Sequence, residues 1–210
     1  MTETASRADQ KARTRQAILD AALALTADSS LVALSLRQVA KEVGIVPTAF
    51  YRHFASVEDL GLALVDESFA SLRAMLRDVR RPEVGATFIG IADASVAILA
   101  DHVARQRAHY VFIARELVAG PAPVRDAIRL EIERAESDLA TDLARVPATR
   151  EWSTDDLHAL SALIVQAMVT TAETMATARP EHVARIAAQA RTQLRMVLIG
   201  AFSWRSGGRG

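Results

Sequence analysis

The sequence contains no cysteine, which excludes a disulfide framework and any thiolate metal site. Aromatic residues make up only 5% of it, although hydrophobic residues reach 50% and alanine is prominent. That balance favours a helical protein whose helices pack closely. It also leaves few aromatic rings to stack on a cationic ligand. The formal net charge is zero at pH 7, so a strong nonspecific grip on polyanions is not expected. No uninterrupted apolar segment is long enough to cross a bilayer. Met1 to Gln10 is polar and lacks the apolar stretch of a secretory signal. The expectation is a soluble, cytoplasmic protein with no membrane partner. Of the five histidines (His53, His102, His109, His158, His182), only His102 and His109 lie two turns apart. They have no carboxylate partner at metal-site spacing. There is no glycine-rich phosphate loop and no nucleophile elbow. No catalytic residue, no metal site and no cofactor is expected, and the chain does not read as an enzyme.

What is present is one dense cluster of signals between Leu34 and Phe54. Ser35 followed by Gln38 is a capping box, predicting a helix from Leu36. Leu36, Val39, Ala40 and Val43 fall on one helical face. Gly44 follows directly, where a helix ends with positive φ. After Ile45 and Val46, Pro47 suits the first turn of a second helix, expected to run from Pro47 to Phe54. That helix would bury Phe50 and Phe54 and present Thr48, Ala49, Tyr51, Arg52 and His53. Two helices so joined form a helix-turn-helix, which places a short helix in the DNA major groove. The candidate DNA-binding residues are Ser35, Arg37, Gln38, Pro47, Thr48, Ala49, Tyr51, Arg52 and His53. A bidentate guanine contact is open to either Arg37 or Arg52. The charge distribution agrees. Met1 to Phe54 carries seven Lys and Arg against five Asp and Glu, and the remainder eighteen against twenty.

The run Phe50-Tyr-Arg-His-Phe54, then Ser56-Val-Glu-Asp-Leu60, with Arg15-Gln-Ala-Ile-Leu-Asp-Ala-Ala22 upstream, resembles the TetR family of transcriptional regulators. Val57 stands where most of that family carries lysine, and Pro47 where many carry serine. Pro47 to Phe54 and Leu60 to Ser68 are most similar to the fatty-acid-metabolism repressors FabR and DesT. The resemblance implies an all-α protein of about nine helices. A helix-turn-helix domain over residues 13–73 would be followed by a ligand-binding and dimerisation domain over residues 82–204. It implies a homodimer on a near-palindromic double-stranded DNA operator, and a long-chain fatty acid or acyl-CoA-like effector. Two other readings stay open: a drug-sensing regulator of an efflux pump, and a helical lipid-binding protein without a transcriptional role.

The rest of the chain reads as helices. Helix one is expected from about Asp9 to Asp28 after a flexible arm, with Lys11, Thr14 and Arg15 placed to meet phosphate or solvent. Helix four runs from the Ser56 cap to about Arg80, before Pro82. Helix five covers Val84 to Ala100, helix six Ala104 to Val118 and helix seven Val124 to Leu143. Helix eight runs from the Ser153 cap to Ala178 and helix nine from Pro180 to Trp204. Leu157, Leu160, Ile164, Met168 and Met175 line helix eight; Ile186, Ala190, Leu194, Val197 and Phe202 line helix nine. These stripes would pair across a two-fold axis as a four-helix bundle. Phe88, Ile91, Val96, Phe112, Leu117, Ile128, Ile132, Ile164 and Met168 are candidates to line an apolar cavity. Arg105, Arg107, His109 and Arg115 are candidates for an anionic head group, and Arg115 is taken with the lining as the ligand site.

Overall fold

A computed structural model of the chain describes residues 6–79 and 88–206, apart from the side chains at 71, 74–79, 88 and 89. The expected stop at Pro82 and start at Val84 lie outside these residues, as do the side chains of Leu76 and Phe88 and the tail from residue 207. Among the described residues the structure is helical throughout, with no strand. Nine α-helices run in order: α1 Arg7–Leu25, α2 Leu36–Val43, α3 Pro47–Phe50, α4 Val57–Val79, α5 Phe88–Arg105, α6 Arg107–Ala119, α7 Ala122–Leu143, α8 Thr154–Thr177 and α9 Pro180–Ser203. Short 3₁₀ turns at Leu31–Ala33 and Pro147–Thr149 were not anticipated.

Most boundaries follow from their caps. Ser56 and Ser153 each accept a backbone N–H three residues on, at 3.1 Å, and so start α4 and α8 where expected. Several elements differ from expectation: α5 runs on past Ala100 to Arg105, and α6 starts at Arg107 instead of Ala104. α1 begins earlier, at Arg7, because Ser6 and Asp9 form a full capping box: Ser6 Oγ accepts Asp9 N–H at 3.3 Å and Asp9 accepts Ser6 N–H at 3.1 Å. α3 is only four residues long, because the chain tightens into i−3 bonds after Phe50.

The chain divides into two compact units. The first comprises residues 1–70 and Val111–Ile128, so it takes in a segment that the division at residue 82 assigns to the body. Its interior is built from Ile18, Leu31, Val39, Phe50, Phe54, Leu60, Leu64, Phe112 and Ile128, all at most 1% exposed.

The second comprises Ser71–Tyr110 and residues 129–210, where α5, α8 and α9 pack on one another. Arg195 donates Nε–H to Asp93 at 3.0 Å, tying α9 to α5. Arg107 donates to the carbonyls of Ala176 and Ala178 at 2.7 and 3.2 Å, satisfying the end of α8. Part of the apolar stripes of α8 and α9 is used inside the protomer. Leu157, Leu160, Met175, Ile186, Ala190 and Leu194 are already buried within this unit. The large apolar side chains left exposed are Leu163 on α8 and Met196, Ile199 and Phe202 on α9. α8 is also long and apolar enough, by length and composition, to cross a membrane, although no uninterrupted apolar run spans it. Ser161, Gln166, Thr170, Thr171 and Thr174 break the run while small apolar residues keep the average high.

Candidate nucleic-acid interface

The Ser35 side chain accepts the N–H of Gln38 at 3.1 Å and starts α2. The box is one-sided, and the Gln38 side chain stands exposed. Val39 and Ala40 are fully buried, letting α2 lie close on its neighbours. Gly44 then turns the chain at φ +72°, a conformation that costs other L-residues roughly 1–2 kcal/mol. Pro47 opens α3 at its first position. Arg52 and His53 donate their N–H groups to Ala49 and Phe50 at 3.2 and 2.8 Å, and Phe54 to Phe50 at 3.1 Å. This tight turn brings Phe50 and Phe54 together, ring centroids 5.7 Å apart, with Tyr51 edge-on to Phe50 at 5.9 Å.

A long-range contact fixes the motif from behind. Arg15 on α1 donates Nη1–H to the carbonyl of His53 at 3.0 Å. Its guanidinium carbon lies 4.1 Å from the centroid of the Phe54 ring, a cation–π geometry. Arg15, offered by the sequence to phosphate or solvent, is thus engaged with the end of the α3 turn. Sequence gives no signal for such a bond, because the acceptor is a main-chain carbonyl 38 residues away.

The outer surface is as spaced in the sequence. Arg37, Gln38 and Lys41 on α2 are exposed, and so are Pro47, Thr48, Tyr51 and Arg52; Ala49 and His53 are half-buried. Tyr51 is 59% exposed, although it is a large ring beside a full aromatic core. His53 Nδ1 is buried without a hydrogen-bond partner. Burial holds the ring's pKa below the ordinary histidine value, and the charges of Lys11, Arg15 and Arg52 add to the effect. The imidazole is therefore neutral at neutral pH and surrounded by cations.

The residues suggested for a ligand do not gather in one unit. Phe112 and Ile128 are buried in the first unit, with Leu117 half-buried there. Val96 and Ile132 are buried in the second, Ile164 and Met168 half-buried, and Ile91 is exposed. Of the suggested head-group residues, Arg105 is ion-paired with Asp101 and Arg107 caps α8. Arg115 donates to the carbonyls of Thr26 and Ser29. Among the described residues no group of three or more His, Asp or Glu is placed to hold a metal ion.

A short aromatic-backed helix set on α1 and α2 is followed, among the described residues, by helices alone, the architecture of TetR-type regulators. Residues 18–64 match the family model of bacterial regulatory proteins of the tetR family. The fold is shared with Salmonella enterica GusR, at 23% identity and a TM-score of 0.67 over 89% of this chain and 96% of that one. It is shared too with the fatty acid degradation regulator FadR from Bacillus halodurans, at 13% identity and a TM-score of 0.67, covering 89% and 95%. The transcriptional regulator FadR from Bacillus subtilis, solved in complex with stearoyl-CoA, is similar at 17% identity and a TM-score of 0.67, covering 88% and 98%. The chain thus shares its fold with these regulators, and its residues 18–64 match the tetR-family model.

Proposed function

We propose that the protein is a homodimeric, ligand-responsive repressor that binds a near-palindromic operator and answers to a long-chain acyl compound. The observation that carries the DNA-binding reading is the exposure of Thr48, Tyr51 and Arg52 on a turn whose other face is locked by Phe50, Phe54 and Arg15. In this reading Thr48 and Tyr51 meet base edges or phosphate, and His53 meets phosphate. Ser35, Arg37 and Gln38 approach from α2, with Pro47 and Ala49 shaping the close surface. Replacing Tyr51→Phe together with His53→Ala should weaken operator binding by about tenfold or more through lost polar contacts, with the thermal midpoint retained. An unchanged affinity in a titration at fixed salt would remove both residues from the interface.

The pH dependence has a definite sign. In the free protein the His53 pKa is lowered. A phosphate beside the ring favours the charged form, so binding takes up a proton. Affinity should rise as pH is lowered from neutral, and His53→Ala should abolish that rise.

The lipid reading is supported by the sequence resemblance to FabR and DesT and by the shared fold with a FadR solved with stearoyl-CoA. The effector would bind the form of the dimer that fits DNA less well, and so shift the population away from it. Stearoyl-CoA added to a complex of the protein with its own upstream DNA should release the protein. No change with stearoyl-CoA or with free fatty acids of several chain lengths would exclude a lipid effector. A repressor of this kind works in the cytoplasm, where its operator lies.

A further inference from the structure

Inside the first compact unit, the last turn of α6 grips the segment that leads from α1 into α2. Glu116 has no exposed surface. Its Oε1 accepts the N–H of Leu31 at 2.9 Å, and its Oε2 accepts the hydroxyl of Ser30 at 3.1 Å. The same hydroxyl lies 3.2 Å from the carbonyl of Ala119. Next to it, Arg115 donates Nη1–H to the carbonyls of Thr26 and Ser29 at 2.7 and 3.2 Å. Two adjacent α6 residues of opposite charge thus hold residues 26–31, one by its carbonyls and the other by its N–H and hydroxyl. Gly120 completes the arrangement. A Cβ there would lie 2.6 Å from Glu116 Oε2 and 2.6 Å from the Glu116 carbonyl, so a side chain would press on the carboxylate.

A buried carboxylate is costly unless it is hydrogen-bonded, and an apolar residue of similar size would fill the space without that cost. What the carboxylate adds is direction. It fixes the Leu31 amide at the start of the 3₁₀ turn Leu31–Ala33. Only Val32, Ala33 and Leu34 separate that amide from Ser35, the N-cap of α2. Leu31 and Leu34 are themselves buried, at 1% and 7% exposure, so the short link has little slack.

We propose that Arg115 and Glu116 are positioning residues for DNA binding: a polar clamp by which the end of α6 sets where α2, and with it α3, begins. The clamp itself stands on geometry, and only its consequence for operator affinity rests on the function proposed above.

The test uses the full chain, with Glu116→Gln, Ser30→Ala and the double variant. Asp101→Asn, in an exposed ion pair with Arg105, serves as the control. Amide hydrogen exchange over residues 30–43 should accelerate by roughly tenfold in Glu116→Gln, as for loss of one hydrogen bond to a charged group. Exchange in α8 and α9 should stay at the wild-type rate. The double variant should be no faster than the faster single one, because both disrupt one network. Operator affinity should fall in parallel, with the dimer intact. Unchanged exchange over 30–43, or strictly additive effects, would overturn the clamp. Accelerated exchange with undiminished operator affinity would overturn its role in positioning. If the wild-type protein bound no DNA, accelerated and non-additive exchange would still support the clamp while the proposed function failed. Ser30→Ala removes one hydroxyl and keeps the carboxylate, so the test survives even if Glu116→Gln does not fold.

Discussion

Replacing Leu163 and Ile199 with glutamate is expected to leave a folded monomer that has lost its hold on the operator. Both side chains are more than half exposed, and Met196 beside Ile199 is 67% exposed. Yet they sit on helices that bury Leu157, Leu160, Ile186 and Leu194 within the protomer. The two positions lie toward the same end of the α8–α9 pair. Ser153, before α8, donates its N–H to Ser206, after α9, at 2.8 Å, and Ser206 donates to Asp156. This end therefore presents apolar side chains from both helices, the kind of exposed patch that marks an interaction surface. In the proposed homodimer the patch meets its own copy across a two-fold axis. Two glutamates per protomer would bury four unpaired charges there, which association cannot absorb. Because the charges fall on an exposed face, the protomer core is untouched and helix content should be retained. The loss for DNA is large. The proposed dimer would place its two recognition helices about 34 Å apart, one turn of the double helix, and linkage of two half-site contacts is worth about 10²–10⁴ in affinity. Light scattering coupled to gel filtration reads the mass, and fluorescence anisotropy with a palindromic operator reads the affinity. A variant that remained dimeric would place the interface elsewhere.

That surface also marks where sequence reasoning reached its limit. The period-3.6 pattern of α8 was legible, but its apolar side is wider than the protomer covers: Leu160 is buried, and Leu163, one turn on along the same side, is exposed. Periodicity locates a face; which partner covers it is decided by tertiary packing. The signals around α2 were legible for the opposite reason. The Ser35 cap, the Gly44 turn and the Pro47 start are each fixed by bonds or torsions within a few residues. The Ser6–Asp9 box was equally local and available to the same reasoning. The contacts that hold the motif in place were not. Arg15 reaches His53, Arg115 reaches Thr26, and Glu116 reaches Leu31. All three act on main-chain atoms of residues distant in sequence, which any residue type supplies. A charge whose partner is a carbonyl or an amide leaves no complementary letter elsewhere in the chain. Arg115 therefore read as a ligand for an anion, and Glu116 did not register at all.

The four-residue length of α3 gives Phe50→Ala its expected severity. A helix this short cannot sustain itself, since nucleation alone outweighs the few bonds it makes. Its bonds include those from Ala49 to Val46 at 2.8 Å, from Arg52 to Ala49 at 3.2 Å, and from His53 and Phe54 back to Phe50. Its shape therefore depends on side chains, and Phe50 is the central one, with no exposed surface and its ring against both Phe54 and Tyr51. Truncation to alanine removes that ring and leaves a cavity, at a cost of about 3–5 kcal/mol. Phe50→Leu keeps most of the volume and should cost less than about 1.5 kcal/mol. The damage should concentrate in the first compact unit: amides over residues 45–54 should exchange freely in the alanine variant, while α8 and α9 stay protected. Tyr51 and His53 flank the lost anchor and would no longer be held in one orientation, so operator affinity should collapse with the local structure. The comparison with Tyr51→Phe/His53→Ala separates the two roles, since that variant should lose affinity with the exchange pattern intact. Wild-type protection of residues 45–54 in Phe50→Ala would show that the turn is held by Arg15 and the main chain alone.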